Sequence, residues 1–275
     1  MTTTEQPQRS LTARVVFAAP GQQANGLAAA PEGLWICDQR NDHCYLVRYD
    51  TGATITAFPS PVRNASGIAY GAGSVWPAAN RIPAATYRHD AKTGHCLADL
   101  VFPDGDRGGV HGIEWAPTDP AALATLPPAE PPPPPLRREA PGGELIGQRG
   151  TAGTLWVTRP GLRIIQWIDA ETGELLRTIP FPEERSHGIY WDAADGSIVC
   201  VETNHNHIYR LDATDGTIRD MWVVDGIDGP CDLVSGALHG DETTPRFEVH
   251  GMTRDAEGRI WVCDAATNLV ALLED

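Results

Sequence analysis

Apolar and polar positions along this chain alternate in short runs rather than at helical spacing, and the runs recur in a fixed order. Five segments open with Gly and an aliphatic residue or Met: Gly26-Leu27, Gly67-Ile68, Gly112-Ile113, Gly188-Ile189 and Gly251-Met252. After each comes a small turn and a second apolar run, such as Gly33-Leu34-Trp35-Ile36-Cys37 or Gly258-Arg259-Ile260-Trp261-Val262. In four of the five units a third run ends in an acidic turn with Gly, as in Asp90-Ala91-Lys92-Thr93-Gly94 and Asp169-Ala170-Glu171-Thr172-Gly173. Short apolar runs joined by Gly and Asx turns predict strands in hairpins.

The first three unit starts are spaced 41 and 45 residues apart, the length of a four-stranded propeller blade. The later spacings, 76 and 63 residues, imply insertions at 116–150 and 225–246. The first holds five consecutive prolines, Pro131 to Pro135, and predicts a mobile loop of polyproline character. The second is rich in Gly and Asp and is the candidate lid. The fifth unit has only three strands, while residues 11–19 supply a spare one that would close the ring and remove open sheet edges. The expected fold is therefore all-β, a five-bladed β-propeller closed by an N-terminal strand. It would be a single domain over 11–275 behind a flexible 1–10.

Composition narrows the function. Of 275 residues, 41% are hydrophobic, enough for a sizeable core, yet no apolar run approaches the ~18 residues of a membrane span. With 36 acidic and 21 basic residues the formal charge is −15, which repels a phosphate backbone and argues against nucleic acid. Residues 1–10 lack the apolar stretch of a secretory signal, so the chain as given reads as cytoplasmic. Six cysteines occur without a CxxC pair and read as free thiols.

In a propeller, the residues just before the first strand and just after the second of each blade crowd around one channel mouth. The first set here is Asn25, Ser66, His111, His187 and His250; the second is Asp38, Ala79, Arg159, Glu202 and Asp264. A His or Asp at a strand end can simply cap turn amides. Identical capping demands would favour one residue type in every unit, however, and the polar choices differ. His111, His187 and His250 are the candidate catalytic residues, with Asn25, Asp38 and Arg159 placed to bind substrate. His205 and His207 lie in the turn after Glu202 and read as a solvated turn. Carboxylate ligands would suit Mg²⁺, Mn²⁺ or Ca²⁺, while three imidazoles with a carboxylate would suit Zn²⁺ or Fe²⁺.

The segments from His187-Gly188-Ile189 through Glu202-Thr203-Asn204, and from Glu248-Val249-His250-Gly251-Met252 through Val262-Cys263-Asp264, resemble the virginiamycin B lyase-like group within the SMP-30 and NHL-type propellers. The resemblance implies that His250 is the base, that His187 supports it, and that Glu248 and Asp264 help hold a divalent metal; Glu202, from the second strand-end set, is a further candidate ligand. The expected function is a propeller lyase, or a related isomerase, acting on a small molecule by His-mediated proton abstraction at a metal-supported site at the channel mouth. The alternatives are an SMP-30-like metal-dependent lactone or ester hydrolase and a non-catalytic binding propeller.

Overall fold

The computed structural model describes residues 9–119, 121, 124, 152–239 and 242–275. Its first strand, β1 (Arg9–Ala18), precedes four units, each an antiparallel sheet of four strands in chain order. They are β2 (Ala24–Ala30), β3 (Gly33–Asp38), β4 (His43–Val47) and β5 (Thr54–Pro59); then β6 (Ala65–Gly71), β7 (Ser74–Ala79), β8 (Ala85–Asp90) and β9 (Cys96–Val101). The third unit is β10 (Ile113–Ala116), β11 (Thr154–Arg159), β12 (Ile164–Asp169) and β13 (Leu175–Pro180). The fourth is β14 (Ser186–Asp192), β15 (Ser197–Glu202), β16 (His207–Asp212) and β17 (Ile218–Asp228). The last strands, β18 (Met252–Arg254), β19 (Ile260–Asp264) and β20 (Leu269–Glu274), take β1 as a fourth, antiparallel to β20.

On its other edge β1 pairs parallel with β17, so the fourth and last units merge into one eight-stranded sheet. The strand starts at Arg9, two residues before the apolar run, and residues 1–8 lie outside the described part. Most of the 116–150 insertion also lies outside it. The second insertion is built into the fold. Residues 225–228 continue β17, a short helix follows at Cys231–Ser235, and Ala237 and Phe247 are buried.

Local chemistry explains the hairpins. Asp90 and Asp169 each accept from the two amides two and three residues on and from the Thr hydroxyl, at 2.8–3.1 Å. The glycine ending each turn has φ of 71° or 75°, a left-handed conformation that Gly adopts without steric cost.

The unit-opening glycines have a different reason. A Cβ on Gly26 would lie 2.8 Å from Gly67 Cα, one on Gly67 3.1 Å from Gly112 Cα, and one on Gly112 2.0 Å from His187 O. One on Gly188 would meet Met252 N at 2.2 Å, and one on Gly251 would meet Gly26 Cα at 2.9 Å. First strands of successive units thus touch backbone to backbone, and the last touches the first. Apolar clusters fill the spaces between neighbouring units, and one of them packs Phe17, Trp261 and Leu272 against Leu27, Leu34 and Ile36. Trp35, Trp76, Trp156 and Trp261, at equivalent strand positions, are all buried in this packing.

Candidate active site

Each of three imidazoles stands one residue before a unit-opening glycine, so backbone contact brings the rings together. Centroids lie 4.3 Å apart for His111 and His187, and 4.9 Å for His187 and His250. His187 and His250 are buried and His111 is partly so.

Their tautomers follow from donor counting. Thr203 Oγ1 spends its one hydrogen on Val249 O at 2.8 Å. His187 Nδ1, 2.7 Å from that oxygen and 3.4 Å from Arg185 O, must therefore donate. Neutral His187 then carries its lone pair on Nε2, which accepts from His111 Nδ1 at 2.8 Å. His250 Nδ1 donates to Glu248 O at 3.0 Å, and the longer approach of Ala265 N, 3.4 Å, yields to this. Both flanking rings, His111 and His250, are left with a lone pair on Nε2.

Burial keeps all three neutral. It pushes the His111 imidazole down to about 4, helped by the Arg185 charge and by His250. Burial lowers His187 well below its ordinary value, with His111, His250 and Arg185 adding to the effect. His250 is lowered by burial too, against the opposing pull of Glu248 O, Asp264 and Glu248. The Arg185 guanidinium opposes protonation of every ring in the cluster. It donates to Glu248 Oε1 at 3.2 Å and Asn204 Oδ1 at 3.3 Å.

The carboxylates named as metal ligands are committed elsewhere. Asp264 Oδ1 accepts from Ala266 N and Thr267 N, at 2.8 and 3.2 Å, and Oδ2 accepts from Glu248 N at 3.1 Å. His239, from the second insertion, puts Nε2 2.8 Å from Asp264 Oδ2 and Nδ1 3.3 Å from Glu248 Oε2. Glu202 is buried, with Oε2 accepting from His205 N at 2.9 Å and Oε1 without a hydrogen-bond partner. A cation at Glu248 and Asp264 would have to displace His239 and compete with Arg185, so these residues do not fit a bound metal as arranged.

The remaining positions divide. Asn25 is buried beside the glycine ring with Oδ1 unpartnered. Ser66 Oγ reaches His111 O at 3.5 Å, and Ala79 contributes only apolar packing. Asp38 accepts four turn amides, those of Gln22, Gln23, Arg40 and Asn41. Arg159 is fully buried and donates to the carbonyls of Pro103, Asp104 and Gly108 and to Gln166 Oε1. Both oxygens of Asp38 are taken up by these turn amides, and Arg159 spends both terminal nitrogens on its four acceptors, leaving only Nε without a hydrogen-bond partner.

Arg185, Thr203 and His239 were not among the sequence candidates, because each reaches the cluster from a loop that no repeat position marks. Glu183 is the other addition: with His205 and His207 it brings one ligand atom per residue within 4.8 Å of the others. Among the described residues this is the one group of three that could hold a metal ion. A groove of about 580 Å³ lies elsewhere, along Arg14, Asp192, Arg210 and Arg254, and includes none of the imidazoles.

No family model and no curated protein matches the sequence. Solved structures match in shape. The glutaminyl cyclase of Myxococcus xanthus aligns over 97% of both chains with a TM-score of 0.62 and 11% identity. A streptogramin B lyase covers 96% of this chain and 97% of its own, with a TM-score of 0.52 and 18% identity. The virginiamycin B lyase of Staphylococcus aureus covers 96% and 99%, with a TM-score of 0.53 and 16% identity. The chain has the β-propeller fold of these enzymes and carries a buried imidazole cluster within it. Among the described residues no helix is long and apolar enough to cross a membrane.

Proposed function

We propose that the repeated units are the five blades of a propeller closed by β1, and that the imidazole cluster is the active centre of a lyase or related isomerase acting on a small molecule. The carrying observation is the hydrogen-bonded chain from Val249 O through Thr203 and His187 to His111, with His250 packed on His187. It leaves neutral Nε2 lone pairs on both flanking rings. Removal of a carbon-bound proton needs a neutral base of this kind, held in one orientation.

His250 is the base in this reading. Its Nδ1–H is fixed on Glu248 O, so Nε2 can accept the proton, and His187 backs the ring in place. Proton loss from carbon builds negative charge on the substrate, and the Arg185 guanidinium, whose charge acts on all three rings, can oppose it. No step runs through a metal. Asn25 Oδ1 offers an acceptor to a substrate donor group. The names of the structural neighbours, a cyclase and two lyases, support an enzyme on this fold. A lactone or ester hydrolase would use the same imidazoles on water.

The test begins with lactones, esters and compounds bearing a leaving group β to an acidic C–H, read out by product formation and by deuterium exchange at that carbon. On any substrate found, His250→Ala should lower kcat by about 10²–10⁴-fold, the usual contribution of a general base. Arg185→Met should lower kcat more than it raises KM. Full retention of both turnover and exchange in His250→Ala rejects the assignment and makes His111 Nε2 the base to test next.

A further inference from the structure

We infer that Glu183, His205 and His207 form a binding site for a divalent transition ion of the zinc class, separate from the imidazole cluster. Glu183 lies on the connection from β13 to β14, His205 in the turn between β15 and β16, and His207 at the start of β16. The two imidazole Nδ1 atoms point at one carboxylate: His207 Nδ1 is 2.7 Å from Glu183 Oε1, and His205 Nδ1 is 2.9 Å from Oε2. The rings stack at 25° with centroids 5.4 Å apart.

The turn that carries them is held from several sides. Asn206, between the two histidines, adopts a φ of 56°. Its side chain donates to Val224 O and Phe247 O, at 3.2 and 2.6 Å, and accepts from Val249 N at 2.9 Å. Both imidazoles are therefore presented by backbone tied to β17 and to the segment before β18. Preorganisation of this kind lowers the ordering cost of binding an ion.

Supporting partners surround the group as they surround metal ligands. Tyr209 donates its hydroxyl to Glu183 Oε1. Glu202 Oε2 sits 3.0 Å from His205 Nδ1, while Oε1 of the same carboxylate is buried without a hydrogen-bond partner. A buried carboxylate oxygen left unpaired is costly. A cation at the adjoining triad would be attracted by the Glu202 carboxylate, whose Oε2 already contacts His205. The Glu202 carboxylate thus adds a buried acidic group beside His205.

Ligand type and exposure define the class. Two imidazole nitrogens with one carboxylate oxygen are borderline donors, matched to Zn²⁺, Co²⁺ or Ni²⁺ rather than to Mg²⁺ or Ca²⁺, which prefer all-oxygen shells. The His205 side chain is 62% exposed, so the ion has a route in from solvent and a face left for water. Three protein ligands and one open position is the arrangement of a reactive zinc site rather than a closed structural one.

Calorimetry with Zn²⁺, and visible absorption with Co²⁺, on the full chain freed of any affinity tag and chelator, tests this directly. One ion should bind per chain, with excess Mg²⁺ failing to displace it. Glu183→Gln and His207→Gln should each weaken binding by about 100-fold and Tyr209→Phe by about 10-fold, as removal of ligands and their partners does. Should Glu183→Gln fail to fold, His205→Ala on the exposed turn carries the same test, with its melting curve as control. His250→Ala should leave the affinity unchanged. Absence of stoichiometric binding, binding that survives His205→Ala and His207→Gln, or binding lost in His250→Ala would each overturn the site.

Discussion

Thr203 decides which nitrogen of His187 holds its proton, and through His187 it decides the same for His111. A cluster built this way resists an added proton, since a charged ring would be buried against another ring and under the Arg185 charge. Stability should follow. His111 titrates at 6.5 in the unfolded chain and at about 4 in the folded one. Between those values the unfolded chain binds a proton that the folded chain refuses, so stability is full above 6.5 and falls as the pH drops through the window. His187 and His250, also lowered, act with the same sign. Urea midpoints measured from pH 7.5 to 4 should fall steadily, and His111→Gln should flatten part of the slope; a midpoint that rises on acidification would contradict the neutral cluster. The three imidazoles were legible in the sequence because each precedes a glycine whose spacing repeats. Thr203 and Arg185 were not, since their contacts join residues 16 to 63 positions apart that share no repeat register. The His-x-His at 205 and 207 was visible but read as a solvated turn, because its third member, Glu183, lies more than twenty residues upstream.

At the scale of elements, β1 carries more than a terminal strand usually does. Its burial alternates, with Leu11, Ala13, Val15 and Phe17 inside, and it is hydrogen-bonded on both edges, to β20 and β17. Burying Leu11, Val15 and Phe17 contributes about 1.5–3 kcal/mol each, against a total stability of about 5–15 kcal/mol for a typical domain. Removing residues 1–18 should therefore leave a protein that fails to melt cooperatively and scatters light, since two sheet edges open together. An unchanged melting curve would refute the closing role of β1. The apolar positions within 11–19 made this strand legible as a spare one. Its parallel pairing with β17 was hidden, because β17 extends through Asp225-Gly226-Ile227-Asp228, a stretch whose composition reads as loop. Gly226 belongs there for packing: a Cβ on it would come 2.7 Å from Thr12 Oγ1.

For the molecule as a whole, hairpin polarity separates chemistry from ornament. β10 and β11 pair from Ile113 with Val157 to Ala116 with Thr154, so the 116–150 insertion leaves the hairpin at the Ala116 end. His111 and Gly112 stand at the other end, together with Thr158 and Arg159. Five residues of extended chain separate His111 from Ala116, roughly 16 Å at about 3.3 Å per residue. What the hairpin needs from the insertion side is local: Trp115 Nε1 donates to Ala152 O at 2.9 Å, and Gly153 turns at a φ of 88° beneath the same indole. The proline run lies outside the described residues; among the described residues the imidazole rings bond one another, Arg185, Thr203, Glu248 and Ala265, none of them at the hairpin's far tip. Excision of residues 130–141, leaving 116 and 152–154 intact, should keep the melting temperature within a few degrees. It should also preserve Zn²⁺ affinity at Glu183 and whatever turnover the substrate panel reveals. The second insertion provides the contrast, because His239 contacts Glu248 and Asp264 directly and Ala237 is buried. Shortening it should disturb the cluster. A folded 130–141 deletion with severe loss of turnover would mean that the proline segment reaches back over the active end, and the separation of the two ends would fall.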